Sequence, residues 1–140
     1  MKKLKVDYTA VATNTGGRKG HVRTDDGILD FDVAMPKEIG GEGEKTNPEQ
    51  LLAAAYSSCF GGALAAVSGK VSLRESEITA IVYLGSFGPG DYGLGVDIFV
   101  KIPHASTLEE AQKLADAAHQ ECLISKATRG NIEVNVKAIE

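Results

Sequence analysis

Two thiols, Cys59 and Cys122, are the side chains with the widest chemical reach in this sequence. A thiolate is a nucleophile, a metal ligand and a redox centre, whereas a buried neutral thiol is an inert, small apolar group. Cys59 lies in Tyr-Ser-Ser-Cys-Phe, within a stretch that carries no charge between Glu49 and Lys70. Burial alone raises a thiol pKa, and a contacting arginine lowers it, so reactivity at Cys59 needs a cation nearby. The candidates are Arg18, Arg23, Arg74 and Arg129. Arg18 stands out because it sits in Gly-Gly-Arg-Lys-Gly (16–20), where glycines let the backbone deliver a side chain inward. Otherwise it is a solvated turn arginine. Glu49 suits a helix start through the helix dipole, and it could also orient an arginine through a bidentate pair. No CxxC spacing is present, which excludes a thioredoxin-type motif. His119 and Cys122 share an i,i+3 face without a second ligand pair, so no metal site is expected. On the residues alone, each cysteine is either a core filler or a reactive thiol.

The element that positions Cys59 is Asn47–Gly69. Asn47 is a good N-cap, Pro48 suits the first helical position, Gln50 completes a capping box, and Gly69 is a plausible stop. Apolar and small residues occur on every side, which predicts a helix with no solvent face, deep in a core or in a membrane. The segment is rich in Ala, Gly and Ser, lacks aromatic belts and basic flanks, and lies between strand-like sequences; this favours a buried soluble helix.

Alternation predicts strands over Lys5–Thr13, His21–Thr24 and Ile28–Met35. Asn14-Thr15-Gly16-Gly17 reads as a turn and Asp25-Asp26-Gly27 as a hairpin connection. In the third strand Leu29, Phe31, Val33 and Met35 face inward. Strands over Glu77–Phe87 and Leu94–Ile102 flank a long connection through Gly88–Gly93. Thr107-Leu108-Glu109-Glu110 opens a second helix with an apolar face of Leu108, Ala111, Leu114, Ala115 and Ala118. Cys122 falls at its end, Ser125–Gly130 turns the chain, and Ile132, Val134, Val136 and Ala138 mark a last strand. The order β-β-β-α-β-β-α-β predicts one antiparallel-dominated α+β domain over residues 1–140. A helix apolar on all sides needs more cover than one small sheet provides, which points to a symmetric dimer with Gly61-Gly62 at a close helix approach.

At 140 residues, with 43% hydrophobic and 24% charged residues, the chain has the composition of an ordinary soluble globular protein. A net charge of −4 and a pI near 5.4 exclude nucleic acid and anionic membrane as main partners. Met1-Lys2-Lys3-Leu4 begins with basic residues but no apolar run follows, so no secretory signal is expected, and the cytoplasm, where thiols stay reduced, is the expected compartment.

Four segments together resemble the organic hydroperoxide resistance branch of the Ohr/OsmC family: Gly-Gly-Arg-Lys-Gly (16–20), Thr-Asn-Pro-Glu-Gln-Leu (46–51), Tyr-Ser-Ser-Cys-Phe around Cys59, and Ala-Thr-Arg-Gly-Asn-Ile (127–132). The likeness runs from about Tyr8 to the C-terminus. It implies an OsmC-like fold, with antiparallel bent sheets wrapped around a long buried central helix in an intertwined homodimer. It also implies a thiol peroxidase acting on organic, lipid-type hydroperoxides, with Cys59 as peroxidatic nucleophile and Cys122 as its resolving partner. Arg18 and Glu49 would activate Cys59 and position the peroxide. The reductant implied is an external dithiol, lipoyl-type or on a lipoylated protein, with no resident cofactor or metal. One departure is visible: Leu123-Ile124 follow Cys122 where this branch usually has Pro-Tyr. Met35, Phe87 and Tyr92 are the expected lining for an alkyl tail, whose burial favours organic over hydrogen peroxide.

Glu49 and Cys59 are ten positions apart, about 15 Å along a straight helix, so they cannot meet within one chain. The Arg18–Glu49 pair is therefore expected to come from a partner subunit. Other readings of the same residues are a peroxidase of the sister osmotically induced branch, a non-catalytic protein binding an apolar ligand, and a redox sensor. The last would need a partner or DNA-binding element, and none is visible.

Overall fold

The computed structural model describes residues Met1–Glu140, and the chain is α+β with two separate three-stranded sheets. Its residues gather into two compact units, Met1–Pro48 and Glu49–Glu140.

In the N-terminal unit, β1 (Ala12–Thr15), β2 (His21–Thr24) and β3 (Asp30–Asp32) form an antiparallel meander. β1 keeps Asn14 and Thr15 in the ladder, opposite Val22 and His21, so the turn begins later than expected. Gly16 and Gly17 turn the chain at φ 88° and 65°, and the Asn14 amide brackets the turn: it donates to the Gly17 carbonyl and accepts from the Gly17 N–H. A 3-10 turn over Gly17–Lys19 carries Arg18. Gly20 follows with its Cα against the Thr15 backbone, where an added Cβ would sit 1.8 Å from the Thr15 carbonyl oxygen.

The strand expected over Lys5–Thr13 is found only from Ala12. Val6 and Tyr8 are exposed and no strand of this unit lies beside them, for alternation marks an apolar face without supplying a partner. β3 is also shorter than Ile28–Met35. Its ladder ends at Asp32, after which Val33 bridges Thr46 in parallel and Ala34 N–H donates to the Thr46 carbonyl. Leaving the ladder there buries the consecutive residues Val33 and Ala34, while Leu29 is exposed.

From Glu49 onward, α1 (Pro48–Val67) belongs to the C-terminal unit, and it runs unbroken for 20 residues. Tyr56, Phe60, Ala63 and Leu64 form its buried face. The expectation of a helix without a solvent face fails for a single chain: Ala54, Ala55, Ser58, Gly62, Ala65 and Ala66 lie exposed. By length and composition α1 could cross a bilayer, but its large side chains join a protein core instead.

That core is closed by a sheet in which β5 (Asp91–Lys101) is central. β4 (Glu77–Gly88) pairs with it antiparallel, placing Ile78, Ala80 and Val82 opposite Val100, Ile98 and Val96. The connection is only Pro89-Gly90, with Gly90 at φ 75° and a bulge at Ser86/Gly88; pairing continues through residues expected to be loop. β6 (Glu133–Ile139) lies on the other side of β5 and runs parallel to it. A parallel return needs a helical crossover, which α2 (Leu108–Glu121) and α3 (Leu123–Thr128) provide. Thr107 caps α2 by accepting from the Glu110 N–H, and the Glu110 carboxylate accepts from the Ser106 N–H, one residue before the position a capping box uses. Ala111, Ala115 and Ala118 turn inward against Val96, Ile98 and Val100, while Leu108 stays exposed. The turn expected over Ser125–Gly130 is largely helical, since α3 continues to Thr128.

Candidate active site

The two cysteines meet. Cys59 follows Tyr56 by three residues on α1, so the buried face of the helix carries its thiol toward the core. Cys122 is the single residue between α2 and α3, with extended backbone (φ −61°, ψ 125°) that breaks the helix and turns its thiol inward. Their sulfurs lie 3.5 Å apart, and both are free thiols. Access is unequal. Cys122 is 1% exposed, whereas Cys59 is partly open to solvent. An external molecule can therefore reach Cys59 first, and Cys122 is placed to react with Cys59.

Burial pushes the Cys122 thiol up, and the neighbouring Cys59 thiol adds to this. Against it work the Ser125 N–H and hydroxyl and the Ile124 N–H, all of which favour the thiolate. Ser125, fully buried, is a junction: its hydroxyl lies 2.7 Å from the Tyr56 phenol and 2.8 Å from His119 Nδ1. His119 is held below the usual imidazole value, first by burial and then by Arg129, with Asp116 opposing. Arg129 itself donates to the His119 carbonyl at 2.8 Å, closing the end of α2.

The other predicted site residues are distributed differently. Arg18 sits on the 3-10 turn of the N-terminal unit, and Glu49 in the first turn of α1. Because α1 has no break, Glu49 stands about 15 Å in rise from the Cys59 of its own chain. Arg74 pairs at the surface with Glu75, and Arg23 is exposed on β2. Met35 lines a hollow of ≈ 280 Å³ with Lys19, Val33, Ala34, Gly41 and Lys45 in the N-terminal unit. Phe87 and Tyr92 flank the β4–β5 turn, 80% and 72% exposed, outside the apolar cluster that contains the thiols. No group of His, Cys, Asp and Glu is arranged to hold a metal ion. Sequence reasoning passed over Tyr56, Ser125 and the part His119 plays. Their signal was spacing: each lies three residues from a cysteine, within one helical turn.

Residues 41–137 match the family model described as OsmC-like protein. The chain belongs to the OsmC-like family, in its organic hydroperoxide resistance branch. The organic hydroperoxide resistance protein OhrB of Bacillus subtilis is 46% identical over 134 residues, covering 93% of this chain and 96% of its own. An organic hydroperoxide resistance protein from Legionella pneumophila superposes with a TM-score of 0.90 at 42% identity, over 97% of this chain and all of the other. One from Elizabethkingia anophelis gives 0.88 at 48% identity, covering 96% and 98%.

Proposed function

We propose that this chain serves organic hydroperoxide resistance as a thiol-dependent peroxidase that reduces organic, lipid-type hydroperoxides to alcohols. The observation that carries this reading is the thiol pair, 3.5 Å apart, one member open and the other buried. Cys59 thiolate attacks the distal peroxide oxygen, the O–O bond breaks, and the alkoxide leaves as the alcohol after taking a proton. Cys59 is left as a sulfenic acid. Cys122 sulfur then attacks the Cys59 sulfur, the S–O bond breaks, and water departs as the disulfide forms. An external dithiol, lipoyl-type or on a lipoylated protein, restores both thiols by exchange. None of these steps calls for a resident cofactor.

Arg18 and Glu49 are assigned to the activation of Cys59 in a second copy of the chain. Two observations support this: the unbroken helix separates Glu49 from its own Cys59, and the exposed small-residue face of α1 leaves room for another helix. The working form is then a homodimer, soluble and cytoplasmic, with Met35, Phe87 and Tyr92 available to the substrate's alkyl tail.

The test is consumption of cumene hydroperoxide by the reduced protein, with intact mass after one equivalent. The expected result is loss of two hydrogens in the unsubstituted protein, one added oxygen in Cys122→Ser, and no consumption by Cys59→Ser. Thiols left unreacted would overturn the proposal in favour of a protein that binds an apolar ligand.

A further inference from the structure

Cys122 is the one residue between α2 and α3, so the direction of its thiol depends on how α3 is set against α2. Its own backbone bonds run to both helices: the Cys122 N–H donates to the Ala118 carbonyl at 2.8 Å, and its carbonyl accepts from the Lys126 N–H at 2.9 Å. α3 has only six residues, too few for a helix to hold itself unaided. Its apolar grip is slight, with Leu123 71% exposed and Ile124 packed on the core. Polar contacts do the rest. His119, in the last turn of α2, is held twice by the segment that follows: Nδ1 lies 2.8 Å from Ser125 Oγ, and the carbonyl accepts from Arg129 at 2.8 Å. Both contacts span the break at Cys122. Ser125 Oγ also lies 2.7 Å from the phenol of Tyr56, which precedes Cys59 by three residues on α1. With the imidazole proton on Nε2, the Tyr56 hydroxyl donates to Ser125 Oγ and the Ser125 hydroxyl donates to Nδ1, so each hydroxyl proton is used.

We propose that Tyr56, Ser125 and His119 are positioning residues for resolution, a brace that sets the Cys122 thiol against Cys59 without entering the reaction. The proposal deepens the peroxidase reading and rests on it. The His119–Ser125 contact fixes the angle between α2 and α3, and the Tyr56–Ser125 contact fixes the distance of α3 from α1. Each of the three residues lies three positions from a cysteine, so a shift at any of them passes through one helical turn to a sulfur. Neither Tyr56 nor Ser125 has any solvent exposure, so water does not stand in for a lost partner. The sulfurs are left 3.5 Å apart, a near-attack distance. The step served is attack of the Cys122 sulfur on the Cys59 sulfenic acid. The S–S bond forms, the S–O bond breaks, and the Cys122 proton leaves with the oxygen as water.

The first readout uses no peroxide. Equilibration with reduced and oxidised glutathione gives the effective concentration of the two thiols toward one another, since the protein disulfide and two glutathiones exchange to the dithiol and one oxidised glutathione. Ser125→Ala and His119→Ala are each expected to lower that concentration about 10²-fold, the cost of a misplacement of about 1 Å. His119→Asn, whose amide can take the place of Nδ1, is expected to restore most of it. A merely structural role would weaken the reduced and oxidised folds equally and leave the effective concentration unchanged, and that outcome overturns the brace. A loss in His119→Asn as large as in His119→Ala overturns it too. Should Ser125→Ala not fold, the two His119 variants decide, at a half-buried position of α2. The second readout is acid-quenched mass spectrometry after one equivalent of cumene hydroperoxide, with the alcohol released reporting the Cys59 step separately. The ratio of disulfide formation to alcohol release should fall in the Ala variants, and an unchanged ratio overturns the proposal. If the unsubstituted protein consumes no hydroperoxide, the peroxidase reading falls, and the glutathione equilibrium still decides whether these residues position the pair.

Discussion

Tyr56 and Ser125, 69 positions apart, meet with their hydroxyl oxygens at 2.7 Å and no solvent exposure on either residue. This contact ties α1 to α3 beside the thiol pair. Ser125→Ala leaves the Tyr56 phenol buried without its partner and should cost about 1–3 kcal/mol. Tyr56→Phe should cost less, because Ser125 keeps His119. The double variant should lose less than the sum of the two, as expected for residues in contact. Urea denaturation of the three variants measures this coupling.

Diamide should convert the reduced protein to an intramolecular Cys59–Cys122 disulfide. The sulfurs need to approach only from 3.5 Å to bonding distance. Closing a loop of this length lowers the entropy of the unfolded chain by the equivalent of about 4 kcal/mol. The oxidised protein should therefore melt at a higher temperature than the reduced one, and Cys122→Ser should show no such difference under the same oxidant.

Much of this was legible in the sequence, and the failures share a cause. The α1 boundaries, the β4 alternation and the α2 face follow from local periodicity, which each segment carries by itself. The direction of β6, the absence of a strand over Lys5–Val11 and the Tyr56–Ser125–His119 chain depend on which distant segment lies alongside. Tyr56 shows the limit: between alanines and serines it reads as core, and only the fold brings it a partner 69 positions away. The thiol pair was found through a family resemblance, since no local spacing joins Cys59 to Cys122.

His21 should titrate above the ordinary imidazole value, because Asp32 first and Asp30 second accept from its ring. The sign follows. His21, raised on folding, contributes stability that is fully present below its unfolded pKa and lost as pH rises through its folded one. Asp32, lowered mainly by His21, contributes above its unfolded pKa and loses that as pH falls through its folded one. The β2–β3 pair is therefore most secure in mildly acidic solution. Ring-carbon NMR of His21 should show Asp32→Asn lowering its pKa more than Asp30→Asn.

Gly20→Ala should destabilise the N-terminal unit by more than about 2 kcal/mol, since its Cβ would stand 1.8 Å from the Thr15 carbonyl oxygen. The turn that presents Arg18 must shift to relieve this overlap. Peroxide consumption should fall further than the unfolded fraction explains, which circular dichroism and activity on the same sample can separate.

Gly62→Arg discriminates between a solitary chain and a paired one. Within one chain a Cβ at Gly62 meets nothing within 4 Å, and replacing a mid-helix glycine favours the helix. Sedimentation should nevertheless show the dimer lost, because a charged side chain would enter the proposed helix–helix face.

The adjacency of Cys59 and Cys122 also gives the chain two mechanical lengths. Once bonded, the segment between them, which contains β4, β5 and α2, becomes a closed ring that tension applied at the two ends cannot pay out. At about 3.4 Å per residue, oxidation would shorten the fully stretched chain by about 210 Å. Pulled at its ends, a single molecule would thus report its redox state as a distance.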